Sequence, residues 1–244
     1  MAIKAVIFDL GGTLIDWPDW DDDICRRWAL SYDYLVAKSA THGWPERSRY
    51  VESMRNAELE HWKRVNTVQT SNTPAEVLLE GFRTLKCDVG IDDLELALDG
   101  YAQAVDGWSM VFPDAASTLI ELRKRGYRLG LLSNTWWAAD WHNADLVLHG
   151  LNTLLDVVVY TSDLFHSKPH PEAFFKICKR LQVAPEECVM VGDRLVDDVS
   201  GALGVGMRGV WKKTDYPWPE PAHIHPTAII STLAELLPLL DRWN

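Results

Sequence analysis

Residues 4–14 form an apolar, β-branched run, Ala5-Val6-Ile7-Phe8, that stops at a carboxylate, Asp9, and turns through Gly11-Gly12 to Thr13. A short apolar run closed by glycine reads as a buried strand of a parallel sheet. Open parallel sheets hold their ligands just beyond the carboxyl ends of the strands. The pattern therefore puts Asp9 on the rim where chemistry occurs. Gly11 and Gly12 let the backbone turn tightly and approach a bound group. Taken alone, the stretch fits equally a strand that ends at a solvated Asp, and the rest of the chain decides between the two.

The same kind of run recurs at 128–134, 157–161, 188–191 and 207–211, with a shorter one at 227–230. Helical patterns separate them at 114–125, 136–150, 172–181, 196–203 and 232–240. Strand and helix in alternation give an α/β chain, a doubly wound parallel sheet with helices on both faces and a Rossmann-like core. The stretch between the first and second strands differs. After a linker-like segment at 15–23, its periodicity is helical, with helices expected at 21–42, 46–65, 73–86 and 92–105. Thr73-Pro74 is a helix start, a capping residue followed by proline in the first turn. The expected division is a catalytic core of residues 1–14 and 108–244 and an inserted all-helical cap of 15–107. Such a cap would cover the carboxyl-end rim as a lid does.

Composition narrows the function. The 244 residues carry a net charge of −11, which disfavours nucleic acid or an anionic membrane as partner, since both want a basic surface. No apolar run is long enough to span a bilayer and the N-terminus lacks a signal-peptide layout, so a cytoplasmic protein is expected. Four scattered cysteines, with no C-x-x-C pair, argue against both a disulfide framework and a zinc site.

Four strand ends, or the loops after them, carry polar groups: Asp9, Ser133-Asn134, Lys168, and Asp193 with Asp197-Asp198. In a parallel sheet these ends lie on one edge. Acids, an ammonium and a hydroxyl brought together suit a phosphoryl group with a divalent cation. Carboxylate oxygens are hard ligands for Mg²⁺, which favours substrate phosphate over a full protein cage. Lys168 would act as a point charge and Ser133 as a hydrogen-bond donor.

The four stretches Phe8–Leu14, Leu131–Asn134, Ser167–Pro169 and Val191–Ala202 resemble, in order, the four motifs of the haloacid dehalogenase-like hydrolase superfamily. The resemblance covers the whole core, and the helical insertion resembles the cap that follows the first motif in many members. It implies that Asp9 is a nucleophile forming an aspartyl-phosphate that water hydrolyses. It implies further that Asp9, the Gly11 carbonyl and Asp193 hold Mg²⁺, with Asp198 supporting the ion through its waters. Ser133, Asn134 and Lys168 would bind the phosphoryl group and Thr13 would hydrogen-bond near the nucleophile. Asp197 stands where many members have Asn. The function implied is hydrolysis of a small phosphorylated metabolite, and a small phosphate ester is the partner expected.

One departure matters. Phosphatases of this family carry a second Asp two residues after the nucleophile as general acid and base, and this chain has Gly11 there. General acid–base help is typically worth ~10²–10⁴ in rate. Asp16, Asp19 and Asp21 to Asp23 are candidates to compensate, although acid runs are usually solvated. Two alternatives stay open: a degenerate, weakly active or non-catalytic ligand-binding member, and a metal-independent dehalogenase. Asp193, Asp197 and Asp198 oppose the second. Trp17, Trp20, Trp136, Trp137 and Trp141 either wall the substrate site or, as favoured here, cement the helical insertion to the core. Arg26, Arg27 and His61 could reach a substrate from the insertion. His166 and His170 flank Lys168 and read as solvated loop histidines, since Mg²⁺ prefers oxygen. The proline-rich run at 217–226 reads as an irregular surface loop.

Overall fold

The computed structural model describes residues 2–18 and 23–244. The chain opens with β1 (Ala5–Phe8), buried along its whole length as a central parallel strand must be. Next come β2 (Ile15–Asp16) and the helices α1 (Ile24–Lys38), α2 (Arg47–Val68), α3 (Pro74–Leu85) and α4 (Ile91–Val105). The return runs through β3 (Met110–Val111), α5 (Ala115–Lys124), β4 (Arg128–Ser133), α6 (Ala139–Leu148), β5 (Val157–Tyr160) and α7 (Pro171–Leu181). The last part holds β6 (Cys188–Gly192), α8 (Gly201–Gly204), β7 (Arg208–Lys212), β8 (Ala228–Ile230) and α9 (Leu236–Trp243).

The six strands β5-β4-β1-β6-β7-β8 form one sheet in that order, and every pair in it is parallel. All six runs expected from the sequence are in it. The chain winds outwards from β1 in both directions, so the crevice where the order reverses lies beside β1. Phe8 stands opposite Leu131 of β4 and Val191 of β6. That register brings Asp9, Ser133 and Asp193 to one edge. Successive residues of β1 face opposite ways. Val6 and Phe8 join a large apolar cluster that also holds Leu119, Leu122 and Leu236. Ala5 and Ile7 join a second, with Phe174 and Ile177 of α7. Each fully buried aliphatic or aromatic side chain contributes roughly 1.5–3 kcal/mol relative to exposure.

The four helices between β2 and β3 pack on one another around Trp28, Tyr50, Phe82 and Tyr101. Thr73 caps α3 with Glu76 in a reciprocal box, and Pro74 opens the helix as expected. The large apolar cluster is continuous from the sheet into this block through an aromatic seam. Trp28 stacks on Trp136 at 5.7 Å, Tyr101 meets Trp136 edge-on at 5.0 Å, and Trp17 meets Trp137 edge-on at 5.5 Å. These tryptophans cement the insertion to the sheet. Trp20, with Asp19, Asp21 and Asp22, lies outside the described residues.

The structure departs from the sequence reading in four places. The segment at 15–23 begins with β2, which pairs antiparallel with β3 where the chain leaves and re-enters the sheet region. Two-residue strands carry no readable period. The helix expected at 136–150 starts at Ala139, because Trp136 and Trp137 are drawn into the seam. The helix expected at 196–203 opens as a wide π-type turn, Leu195–Ser200, before α8. The last helix is a tight turn, Leu233–Glu235, followed by α9. Among the described residues no helix is long and apolar enough to cross a membrane.

Candidate active site

The rim of the sheet gathers groups that are far apart in sequence. Lys168 is the centre. Its Nζ donates to Asp9 Oδ1 at 2.6 Å, Asp198 Oδ1 at 2.6 Å and the Leu132 carbonyl at 2.7 Å. The three hydrogens of the ammonium are thus all used, and the side chain is 1% exposed. Asn134, just past β4, clasps the Lys168 backbone from both sides. Its Oδ1 accepts from the Lys168 N–H at 2.8 Å and its Nδ2 donates to the Lys168 carbonyl at 2.9 Å. The end of one strand therefore fixes the loop that carries the lysine.

Asp198 reaches the cluster from the wide turn after β6. Its Oδ2 accepts from the Arg194 backbone N–H at 3.0 Å, so both its oxygens are engaged. Asp193 accepts from Trp218 Nε1 at its Oδ2, 2.7 Å away, while Trp211 Nε1 donates to its carbonyl at 2.9 Å. The turn after Asp9 lies hard against Asp193. Gly12 has φ +69°, and a Cβ there would come within 2.4 Å of Asp193 Oδ2. Only glycine tolerates both conditions.

Lys168 bonds two of the buried acids, Asp9 and Asp198, and the Arg194 charge acts on Asp9, Asp193 and Asp197. Burial raises the Asp9 carboxyl to about 6, against the pull of Lys168 and with a push from Asp198. Burial, then the charges of Asp9 and Asp198, raise Asp193 to about 8. Burial alone would lower Lys168, but Asp198 and Asp9 outweigh it and raise it, so it stays an ammonium. Counting Asp9, Asp193, Asp197 and Asp198 against Lys168, Arg194 and Lys212, the acidic groups outnumber the cationic ones by one. Oxygens of Asp9, Asp193 and Asp198 lie within 4.8 Å of one another. A hard divalent cation fits this donor set, with Asp9 and Asp193 each keeping one oxygen that no described hydrogen bond uses.

Of the residues singled out in the sequence, Lys168 bonds Asp9 and Asp198 directly, Asp193 lies beside these acids, and Ser133 ends β4 on the same edge, buried. Asn134 holds the Lys168 backbone through Oδ1 and one Nδ2 hydrogen and so positions the lysine, while its second Nδ2 hydrogen is not used by that clasp. Thr13 Oγ1 is buried and has no hydrogen-bond partner among the described residues. Thr13 lies in the tight turn closed by backbone bonds to the Leu10 carbonyl. Asp197 pairs with Arg194 at 3.0 Å. Gly11 has its own constraint: a Cβ there would lie 3.1 Å from the Trp17 ring. A side chain at residue 11 would press against the indole, which would have to shift by a few tenths of an ångström.

The compensating acids within the described residues do not reach Asp9. Asp16 accepts from the Trp17 N–H and from Tyr216 Oη, and Asp23 pairs with Arg26. Arg27 is buried against Glu58, and His61 Nδ1 lies 3.1 Å from Asn72 Oδ1. Three groups went unremarked in the sequence. Lys212, which ends β7, donates from Nζ to the Gly12 carbonyl at 2.9 Å; its place at a strand end was the available signal. Arg194 lies 4.0 Å from the centre of the Trp218 ring and 6.0 Å from that of Trp62 on α2. Trp218 comes from the proline-rich run read as a surface loop, and nothing in that composition signals its bond to Asp193.

The profile of haloacid dehalogenase-like hydrolases matches residues 3–206. A glyceraldehyde 3-phosphate phosphatase of Pyrococcus furiosus is 35% identical over 138 residues, 54% of this chain and 55% of that protein. The chain thus spans about half the length of that curated relative. Among solved structures, a phosphatase of Thermococcus onnurineus is similar with a TM-score of 0.66 and 28% identity, covering 98% of each chain. A 2-haloacid dehalogenase of Pseudomonas syringae is similar with a TM-score of 0.70 and 26% identity, covering 99% of this chain and 100% of the other. The motifs, the sheet order and these likenesses agree: the chain belongs to the haloacid dehalogenase-like hydrolase family.

Proposed function

We propose that this chain is a Mg²⁺-dependent hydrolase of small phosphate monoesters that works through a phosphoryl group carried on Asp9. The observation that carries the reading is the buried contact of Lys168 Nζ with Asp9 and Asp198, beside Asp193. That excess of acid suits a divalent cation and a phosphate together. The phosphatase relative supports the same substrate class.

In this reading the Asp9 carboxylate attacks phosphorus. A P–O bond forms to Asp9 as the bridging P–O bond of the ester breaks, and the leaving oxygen keeps that electron pair. Water then cleaves the acyl phosphate and restores Asp9. Lys168 holds Asp9 in place and offsets charge on the transferring group, and Ser133 donates to a phosphoryl oxygen. Asn134 keeps Lys168 in position. Mg²⁺, held by Asp9, the Gly11 carbonyl and Asp193 with Asp198 behind them, would supply positive charge against the phosphoryl oxygens. Residues 15–107 act as the cap and 1–14 with 108–244 as the core. A covering helical layer favours a substrate small enough to be enclosed. Gly11 carries no proton-transfer group and Trp17 fills the space beside it, so turnover is expected to be slower than with a full acid–base pair.

A second reading, displacement of halide from carbon by Asp9, is favoured by Gly11 and by the dehalogenase likeness, and opposed by Asp193 and Asp198. One assay separates them. Small phosphate monoesters and 2-haloacids are offered to the purified protein with Mg²⁺ and with excess chelator, beside Asp9→Asn. Phosphate release that needs Mg²⁺ and is lost in Asp9→Asn is the expected result. Halide release that survives the chelator moves the assignment to the second reading. Neither product, with Mg²⁺ and phosphate still binding, makes the chain a ligand-binding member.

A further inference from the structure

The loop that carries Lys168 bears a second cluster of ligating side chains, away from the catalytic acids. The imidazoles of His166 and His170 stack face to face, with centroids 3.6 Å apart and planes 10° from parallel. His166 Nδ1 lies 2.5 Å from Glu172 Oε2. One nitrogen from each ring and a Glu172 oxygen all lie within 4.8 Å of one another. Both imidazoles are half-buried and Glu172 is exposed, so an ion in solution can reach the cluster.

We propose that His166, His170 and Glu172 form a binding site for a borderline divalent ion of the Zn²⁺ class. The donor set is two imidazole nitrogens and one carboxylate oxygen, which suits Zn²⁺ or Co²⁺ and not Mg²⁺. The ligands here are not cysteines, so the scatter of thiols does not bear on it. Ligand atoms around a tetrahedral ion at ~2.05 Å stand roughly 3.3 Å apart. The observed spread needs only side-chain rotation to close to that, and at a half-exposed site such rotation is open to all three groups. The bond that His170 Nδ1 accepts from the Glu172 N–H is long, 3.3 Å, and gives way readily.

The backbone under the cluster is already fixed. The Ser167 N–H donates to the Gln69 carbonyl and the Ser71 N–H to the Phe165 carbonyl, both at 3.0 Å, and the His170 N–H closes a turn onto Ser167. The 165–170 loop is thereby tied to the connection between α2 and α3. His170 caps α7, which holds Glu172 in the first turn. A rigid loop presents ligands at little ordering cost. An ion bound here would clamp the loop of Lys168 without touching its side chain, which points into the catalytic cluster.

The test is calorimetric titration of the full chain with Zn²⁺ while Mg²⁺ is in large excess, with Co²⁺ absorption as a second reading of nitrogen ligation. The variants are His166→Gln, His170→Gln and, as a control for the catalytic acids, Asp193→Asn. The expected result is one Zn²⁺ site that weakens roughly tenfold or more in each histidine variant and keeps its affinity in Asp193→Asn. Zn²⁺ affinity unchanged in both histidine variants, affinity lost in Asp193→Asn, or no Zn²⁺ binding to the native chain would each overturn the proposal.

Discussion

Two buried charge clusters in this molecule are built to opposite plans. In the helical block, Arg27 and Glu58 are sealed from solvent, 0% and 1% exposed, with Nη2 and Oε1 3.7 Å apart. Trp28 Nε1 donates to Glu58 Oε2 at 2.8 Å and Arg27 Nε donates to Tyr101 Oη at 3.0 Å. Among the described residues one cation meets one acid there, with a tryptophan N–H on the acid and a tyrosine hydroxyl on the cation. At the sheet rim four acids, Asp9, Asp193, Asp197 and Asp198, meet three cations, Lys168, Arg194 and Lys212. A balanced pair can be closed into a fold, where it roughly breaks even against an apolar replacement but is costly to break. An unbalanced cluster leaves charge that something outside the chain must settle. Both clusters are buried, and it is the count of charges that separates a structural cluster from a functional one.

The strongest way to break this distinction is to remove a cation from each. Arg27→Met leaves Glu58 buried without its partner, where burial already raises its carboxyl against the pull of Arg27. A loss of about 3–5 kcal/mol is expected, and no added metal should recover it. Lys168→Met leaves Asp9 and Asp198 without their ammonium too, but there Mg²⁺ can enter. Its stability should recover with Mg²⁺, while phosphate release falls ~10³-fold or more with the lost electrostatic contribution. Thermal unfolding with and without Mg²⁺ reads both. Recovery of Arg27→Met by Mg²⁺, or near-native turnover in Lys168→Met, would remove the contrast.

Much of the rim was legible because its signals are local in sequence. An apolar run that ends in a polar residue marks both a strand and the edge it points to, and the parallel register then brings Asp9, Ser133 and Asp193 to one edge, while Lys168 arrives there on a loop that Asn134 holds. The helical block was legible as helices for the same reason, down to the start at Thr73-Pro74. What escaped depends on distant partners. Arg27 reads as a residue that could reach a substrate until Glu58, Tyr101 and Trp108 are seen beside it. Trp218 looks like part of an irregular loop until its N–H meets Asp193. Thr13 was expected to bond near the nucleophile because the motif resemblance implied it, and its buried hydroxyl has no hydrogen-bond partner among the described residues. The pair of β2 and β3 is too short for any period to show.

A smaller effect sharpens the comparison through pH. His61 is buried on α2, and burial lowers its pKa to about 4 from an ordinary 6.5, with the Asn72 hydrogen bond opposing. The unfolded chain therefore binds a proton there between those values and the folded one does not, so stability falls as pH drops from about 6.5 to about 4. The full effect is up to roughly 3 kcal/mol. His61→Gln should flatten that part of a profile of unfolding free energy against pH. An unchanged slope would mean that His61 is solvated in solution and that the helical block does not exclude water as closely as its aromatic core implies.

The rim should respond with the opposite sign. Asp193 has a folded pKa raised to about 8 from 3.8, so without metal the folded state holds the proton more tightly than the unfolded chain. Its contribution to stability is then lost as pH rises from about 4 towards about 8, where the carboxylate must ionise beside Asp9 and Asp198. Asp193→Asn removes that ionisation, and its side-chain oxygen can still accept from Trp218. With excess chelator at pH 8 the variant should be more stable than the native chain by about 1 kcal/mol. With Mg²⁺ the order should reverse, because the native site gains a bound ion that the variant holds poorly. A matching change at Glu58, the acid of the balanced pair, should destabilise under both conditions. If Asp193→Asn is instead the less stable protein even in chelator, the acids at the rim are already compensated by the chain itself, and charge count no longer tells the two clusters apart.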